Sequence, residues 1–174
     1  MLAQIGIVPD RVVSPEIDET PQRAELPRAC ALRLARAKAN AVPAPGCLVL
    51  AADTVVAAGR RILPKAETEA DARRCLMLLS GRRHRVLTAV VLAAPDGRQS
   101  ERLVTSVVAL ARLTAPQFDA YLATGEWRGK AGGYAIQGQA AAFVRFLSGS
   151  YSNVVGLPLF ETAQLLRGAG WLVP

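Results

Sequence analysis

The sequence predicts one α/β domain built on a mixed, twisted β-sheet flanked by helices. Three observations predict it. Short apolar and β-branched runs alternate with helical stretches. The turn Pro95-Asp96-Gly97 joins two of those runs as a hairpin. The 174 residues, 51% hydrophobic and 20% charged, show no repeat, linker or break in composition, so residues 1–174 read as a single domain.

Each element follows from its local pattern. Met1 to Gly6 reads as the end of a helix with a glycine stop, and Ile7 to Val13 as a strand. That helix has no start, which suggests a chain opening inside an element, with its first strand missing and the true reading frame beginning upstream. Ser14 to Pro27 is rich in proline and acid and predicts a loop. Arg28 to Ala41 has helical spacing at Cys30, Leu34 and Lys38 and is stopped by Pro43 and Pro45. Cys47 to Ala52 is a continuous apolar run ending at Asp53, the pattern of a strand buried on both faces. Thr68 and Asp71 have capping-box spacing for a helix through Leu79, closed by Ser80-Gly81. Val86 to Ala94 and Arg102 to Leu113 are the hairpin strands. Thr114-Ala-Pro-Gln117 starts a helix to Ala123, and Ala140 to Leu147 reads as a strand. A polar loop, Ser148 to Asn153, precedes the last helix, which follows Pro158 and Phe160 and is ended by Gly168 and Gly170.

Composition narrows the function. The longest apolar run, Cys47 to Ala52, is far short of the ~20 residues of a membrane span, so no membrane partner is expected. Asp10 and Arg11 break the apolar opening, which excludes a secretory signal there. Cys30, Cys47 and Cys75 are odd in number and widely spaced, which fits a reducing cytoplasm. With a single His84, a His-rich zinc site is excluded. The net charge of +7 favours anionic ligands. Two Trp, three Tyr and four Phe, scattered, give no stacking platform, so nucleic acid is not expected.

Several residues could carry chemistry. Asp53, at a strand end, is either a carboxylate that holds a divalent metal or takes a proton from water, or a turn cap. Glu16, Asp18 and Glu19 offer metal ligands or a solvated acidic loop. Only three of the 21 basic side chains are lysines: Lys38, Lys65 and Lys130. In a chain that otherwise uses arginine, they mark places suited to a compact ammonium, or are ordinary surface lysines. Lys130 lies beside Gly129 and Gly132-Gly133, where backbone N–H groups can approach a polyphosphate. Gln137 can give a donor and an acceptor to a base edge, or sit in a plain turn. His84 reads as structural or exposed. The pairs Arg60-Arg61, Arg73-Arg74 and Arg82-Arg83 read as solvated faces.

Four motifs then occur together and in order: Ala51-Ala-Asp-Thr-Val-Val56; Leu79-Ser-Gly-Arg82 with His84; Lys130-Ala-Gly-Gly-Tyr-Ala-Ile-Gln-Gly138; and Gly149-Ser-Tyr-Ser-Asn-Val-Val-Gly-Leu-Pro-Leu159. Together they resemble the Maf family of nucleoside triphosphate pyrophosphatases over essentially the whole chain. Asp53-Thr54 with Ile136-Gln137-Gly138 resembles the branch acting on dTTP and UTP. The resemblance implies a Maf and inosine triphosphate pyrophosphatase-like fold and a cytoplasmic hydrolase dependent on a divalent cation, Mg²⁺ or Mn²⁺. The reaction it implies yields the monophosphate and pyrophosphate by water attack at the α-phosphorus. It implies Asp53 as proton acceptor, Glu19 with Asp53 as metal or water ligands, and Lys65 and Lys130 as phosphate-facing groups. Lys38 matches a further family lysine, and Thr54 and Gln137 match positions linked to substrate choice. A homodimer and a link to septum formation also come from the family.

Three departures stand out. The Ser-x-Ser-Pro-Arg-Arg phosphate loop that precedes the matched region in the family is absent. Ala66 stands where the family usually has proline, and Gly129 where it usually has Asp. Loss of the phosphate loop suggests the alternative of a catalytically impaired nucleotide-binding protein linked to cell division.

Overall fold

The computed structural model describes residues 1–173. Its elements are α1 (Pro27–Asn40), β1 (Val49–Ala58), β2 (Arg61–Leu63), α2 (Glu69–Leu79), β3 (Arg83–Ala93), β4 (Gln99–Leu110), α3 (Ala115–Ala123), β5 (Val144–Ser148), α4 (Tyr151–Val155) and α5 (Leu159–Gly168). The five strands form one sheet in the order β2-β1-β3-β4-β5. Helices flank it, as the α/β reading required.

The expected mixed sheet is corrected: every strand pairing among the described residues is antiparallel. The chain turns back directly in the β1–β2 and β3–β4 hairpins. It then passes through α2 and α3 to β3 and β5, both of which run against their neighbours. The expected strand from Ile7 to Val13 is also corrected. Leu2–Ile5 is a 3₁₀ turn ended by Gly6 at φ 72°, and the next residues have no regular structure. Val8 and Val12 are 83% and 86% exposed, so neither side chain is buried against the sheet.

Local signals account for the other boundaries. Thr68 and Asp71 form the reciprocal capping box of α2, and Thr114 with Gln117 repeats it at α3. The run from Cys47 does not stop at Asp53: β1 continues to Ala58, which places Asp53 inside the strand. Ala140 to Phe143 is a 3₁₀ turn, and only Val144–Ser148 pairs as β5. The polar loop after it is partly helical, since the Ser150 hydroxyl accepts from the Asn153 N–H and caps α4.

Strand alternation sends the residues of β1 to two different layers. Val55 packs on α1, with Cys30, Ala31, Leu34 and Ala35. Val56 joins Val86 and Val108 against Leu76 and Leu79 of α2, together with Tyr121, Trp127 and Ile136. Each such buried aliphatic side chain contributes about 1.5–3 kcal/mol. One edge of β1 is held by β3 from Val49 to Ala57, but β2 covers the other only from Val56 to Ala58. Among the described residues, the stretch before Val56 therefore keeps an open edge, and Asp53 and Thr54 lie on it.

Candidate active site

A cleft of about 210 Å³ borders this edge. It is lined by Ala52, Asp53, Thr54 and Val56 from β1, Lys38 from α1, Lys65, the Gly129–Ala131 and Tyr134–Gln137 segments, and Val154 and Val155. Six of the seven residues that the family resemblance marks line it: Lys38, Asp53, Thr54, Lys65, Lys130 and Gln137. Glu19, the seventh, reaches it through two ion pairs. Of the acidic loop, only Glu19 contributes. Glu16 and Asp18 are exposed, and Asp18 instead accepts from the Thr20 N–H.

The centre of the site is a four-residue charge chain. Lys38 Nζ lies 2.5 Å from Asp53 Oδ1 and 2.9 Å from Glu19 Oε1, while Lys65 pairs with Glu19 Oε2. Lys38 stands in the last turn of α1 and faces the odd-numbered side of β1. Asp53 is 5% exposed. Burial pushes its carboxyl above the ordinary carboxylate range, and the Lys38 ammonium opposes that only in part. Burial also opposes charge on Lys38 and Glu19, but their hydrogen bonds win: Lys38 is raised, and Glu19 is held below its usual value by Lys65 and Lys38.

Backbone hydrogen bonds place the other two lysines. Ala66 N–H donates to Lys130 O, Gly129 N–H to Ala66 O, and Gly132 N–H to Pro64 O. A bridge between Lys65 and Ala131 completes the lacing. A proline at position 66 could not make the first of these bonds. Lys65 and Lys130 thus ride on two segments tied side by side, with both side chains exposed at the cleft.

On the even-numbered side of β1, Thr54 Oγ1 is 2.9 Å from Thr88 Oγ1, and Thr88 in turn donates to Asn153 O at 2.9 Å. Asn153 is fully buried and donates to Val86 O and Ser106 Oγ. In the polar loop Ser148 to Asn153, the Ser150 and Ser152 hydroxyls bond each other and accept from the Asn153 and Leu159 N–H groups, so both are used within the fold. Thr88, Tyr134, Val154 and Val155 were not singled out beforehand. They read as ordinary strand or motif residues, and only their placement brings them to the cleft or next to Thr54. His84 is structural: it is 2% exposed, its Nε2 is 2.7 Å from Tyr134 Oη, and burial lowers it to about 4.

The sequence comparisons decide the family. The Maf model, described as Maf-like protein, matches residues 1–169. The chain belongs to the Maf family. Among its Maf relatives, a protein of Caulobacter vibrioides is 61% identical over 98% of this chain and 90% of its own length. One from Rhodospirillum rubrum is 62% identical over 98% and 82%, and one from Granulibacter bethesdensis 59% identical over 98% and 88%. All three are named dTTP/UTP pyrophosphatase. Among the described residues, no helix is long and apolar enough to cross a membrane.

Two carboxylates, Glu19 and Asp53, converge on one ammonium, and no group of three or more His, Cys, Asp or Glu side chains gathers among the described residues. A donor set of one or two carboxylates suits a hard cation such as Mg²⁺, which completes its shell with water and substrate phosphates. It does not suit a zinc site, which needs three or four protein ligands.

Proposed function

We propose that this chain is a nucleoside triphosphate pyrophosphatase that hydrolyses dTTP and UTP to the monophosphate and pyrophosphate. One observation carries the reading: the cleft collects a buried carboxylate, three lysines and two neutral polar side chains from separate segments of a chain whose relatives bear that activity in their names.

The residues divide the work. Lys65 and Lys130 sit at the mouth, where compact ammonium charges pair with the β- and γ-phosphates and disperse the charge that builds on the leaving pyrophosphate. Asp53 takes the proton of the attacking water. Lys38 engages Oδ1, which leaves Oδ2 for that water. The water oxygen bonds to the α-phosphorus, the bond to the bridging oxygen of the β-phosphate breaks, and pyrophosphate departs with the electron pair. Glu19 and Asp53 would hold Mg²⁺ or Mn²⁺, which when bound supplies Lewis-acid neutralisation of the phosphates. Lys38, shared by both carboxylates, fixes their orientation before substrate arrives. Thr54 and Gln137 meet the base.

The test is pyrophosphate release over dTTP, UTP, CTP and 7-methyl-GTP with Mg²⁺ or Mn²⁺, for wild type and Asp53→Asn. Release from dTTP and UTP that falls at least about 100-fold in the variant supports the reading. Binding of dTTP without release would instead make the chain a nucleotide-binding protein, and unchanged turnover in the variant would remove Asp53 as the base.

A further inference from the structure

The hydroxyl chain behind Thr54 has a direction. Thr88 is fully buried, and its one proton goes to Asn153 O, an acceptor that cannot return one. Thr88 Oγ1 is therefore left to accept from its other hydroxyl neighbour, Thr54, 2.9 Å away. Thr54 spends its own proton on Thr88, so what it turns toward the cleft is lone pairs alone. Asn153 O cannot swing away to release this arrangement. It lies in α4, also receives the Gly156 N–H at 3.1 Å, and belongs to a residue anchored by Val86 O and Ser106 Oγ.

The surroundings say what meets those lone pairs. By alternation, Thr54 is on the opposite side of β1 from Asp53 and its lysine partner. The remaining lining of the cleft includes Ile136, Val154 and Val155, with Gln137 beside them. An apolar slot with one fixed acceptor and one amide suits a nucleobase rather than a phosphate.

We infer that Thr88 is a specificity-positioning residue, which locks the Thr54 hydroxyl as a hydrogen-bond acceptor and so selects a pyrimidine that presents a ring N–H. Uracil and thymine carry a proton on N3. Cytosine presents a bare N3 acceptor there, and two acceptors facing each other in a desolvated slot leave both unpaired. The inference rests on the proposed binding of pyrimidine nucleotides in this cleft, but not on their hydrolysis.

The experiment is calorimetric binding of α,β-imido UTP and α,β-imido CTP to wild type, Thr88→Val and Thr88→Ser, with pyrophosphate release from UTP measured separately. Wild type is expected to bind the UTP analogue about 10- to 100-fold more tightly than the CTP analogue. Thr88→Val frees the Thr54 proton to turn toward the cleft and donate to cytosine N3. The preference should then shrink at least about fivefold, and Thr88→Ser, which keeps the hydroxyl, should restore it. Equal binding of both analogues by wild type overturns the inference and needs no variant. An unchanged preference in folded Thr88→Val overturns it too. Preference without pyrophosphate release removes the hydrolase reading and keeps this one, and binding of neither analogue removes both.

Discussion

Lys38 Nζ and Asp53 Oδ1 are 2.5 Å apart, and the two side chains arrive from different layers, one from helix α1 and one from the middle of β1. In the proposed mechanism the pair sets the charge state of the base. Burial drives the Asp53 carboxyl up, and the ammonium is the largest force holding it down. Replacing Lys38 with Met removes that force, so the carboxyl rises further. A base works only when ionised, so the acid limb of the pH dependence of kcat/KM must move to higher pH in Lys38→Met. The same profile in Asp53→Asn should lose that limb along with most of the rate. A limb that stays in place in Lys38→Met would show that Asp53 does not titrate in catalysis.

Glu19 is the second anionic donor and the link between two lysines. In Glu19→Gln the side-chain size is kept, but both ion pairs and one charged oxygen donor are lost. The Mg²⁺ concentration giving half-maximal pyrophosphate release should rise at least about tenfold. A titration of rate against Mg²⁺ at saturating substrate checks this, and an unchanged midpoint would place the cation elsewhere.

The site was more legible in the sequence than the sheet. Asp53 stood out at the end of an apolar run, and the lysines stood out against a chain that otherwise uses arginine. Both are signals of residue type, and the fold brings these residues to one cleft even though Asp53 lies inside the strand. Strand pairing is a property of the folded chain: the alternation that suggested a mixed sheet is equally compatible with α2 and α3 returning the chain antiparallel. Thr88 was invisible for a related reason. A threonine in a β-branched run is the commonest filling of a strand, and only the 2.9 Å contacts on either side of its hydroxyl give it a role.

His84 makes stability fall in acid. Its folded value of about 4 lies below the ordinary 6.5, because burial opposes the imidazolium. The unfolded chain therefore binds the proton first. The stabilising effect of a neutral His84 is complete above about pH 6.5 and is lost as pH falls toward 4, a change of about 3 kcal/mol. His84→Phe should remove this part of the pH dependence, at a cost of about 1–3 kcal/mol at pH 7 for the unpaired Tyr134 hydroxyl. Urea unfolding of both chains between pH 7 and 4 checks it: the stability difference must narrow as pH falls, and a constant difference would refute the assignment.

Two glycines that look alike in the sequence differ in what surrounds them. Gly129 and Gly133 flank Lys130, and both have positive φ, 66° and 72°. A Cβ on Gly129 would meet nothing within 4 Å, so Gly129→Ala carries only the left-handed backbone penalty, about 1–2 kcal/mol. A Cβ on Gly133 would lie 3.0 Å from Ala72 Cα and 3.2 Å from Ala72 O, both backbone atoms of α2. The helix is fixed there by Leu76 and Leu79 in the core, so the glycine turn must yield instead. Gly133→Ala should cost about 2–4 kcal/mol, the backbone penalty plus overpacking. Because Gly133 N–H donates to Lys130 O, and that carbonyl also receives the Ala66 N–H, a displaced turn also loosens the alignment of Lys130 with Lys65. Thermal unfolding should therefore rank wild type above Gly129→Ala above Gly133→Ala, and KM for UTP should rise more in the second variant than in the first. Equal destabilisation of the two variants would show that the contact with α2 does not constrain the lysine loop.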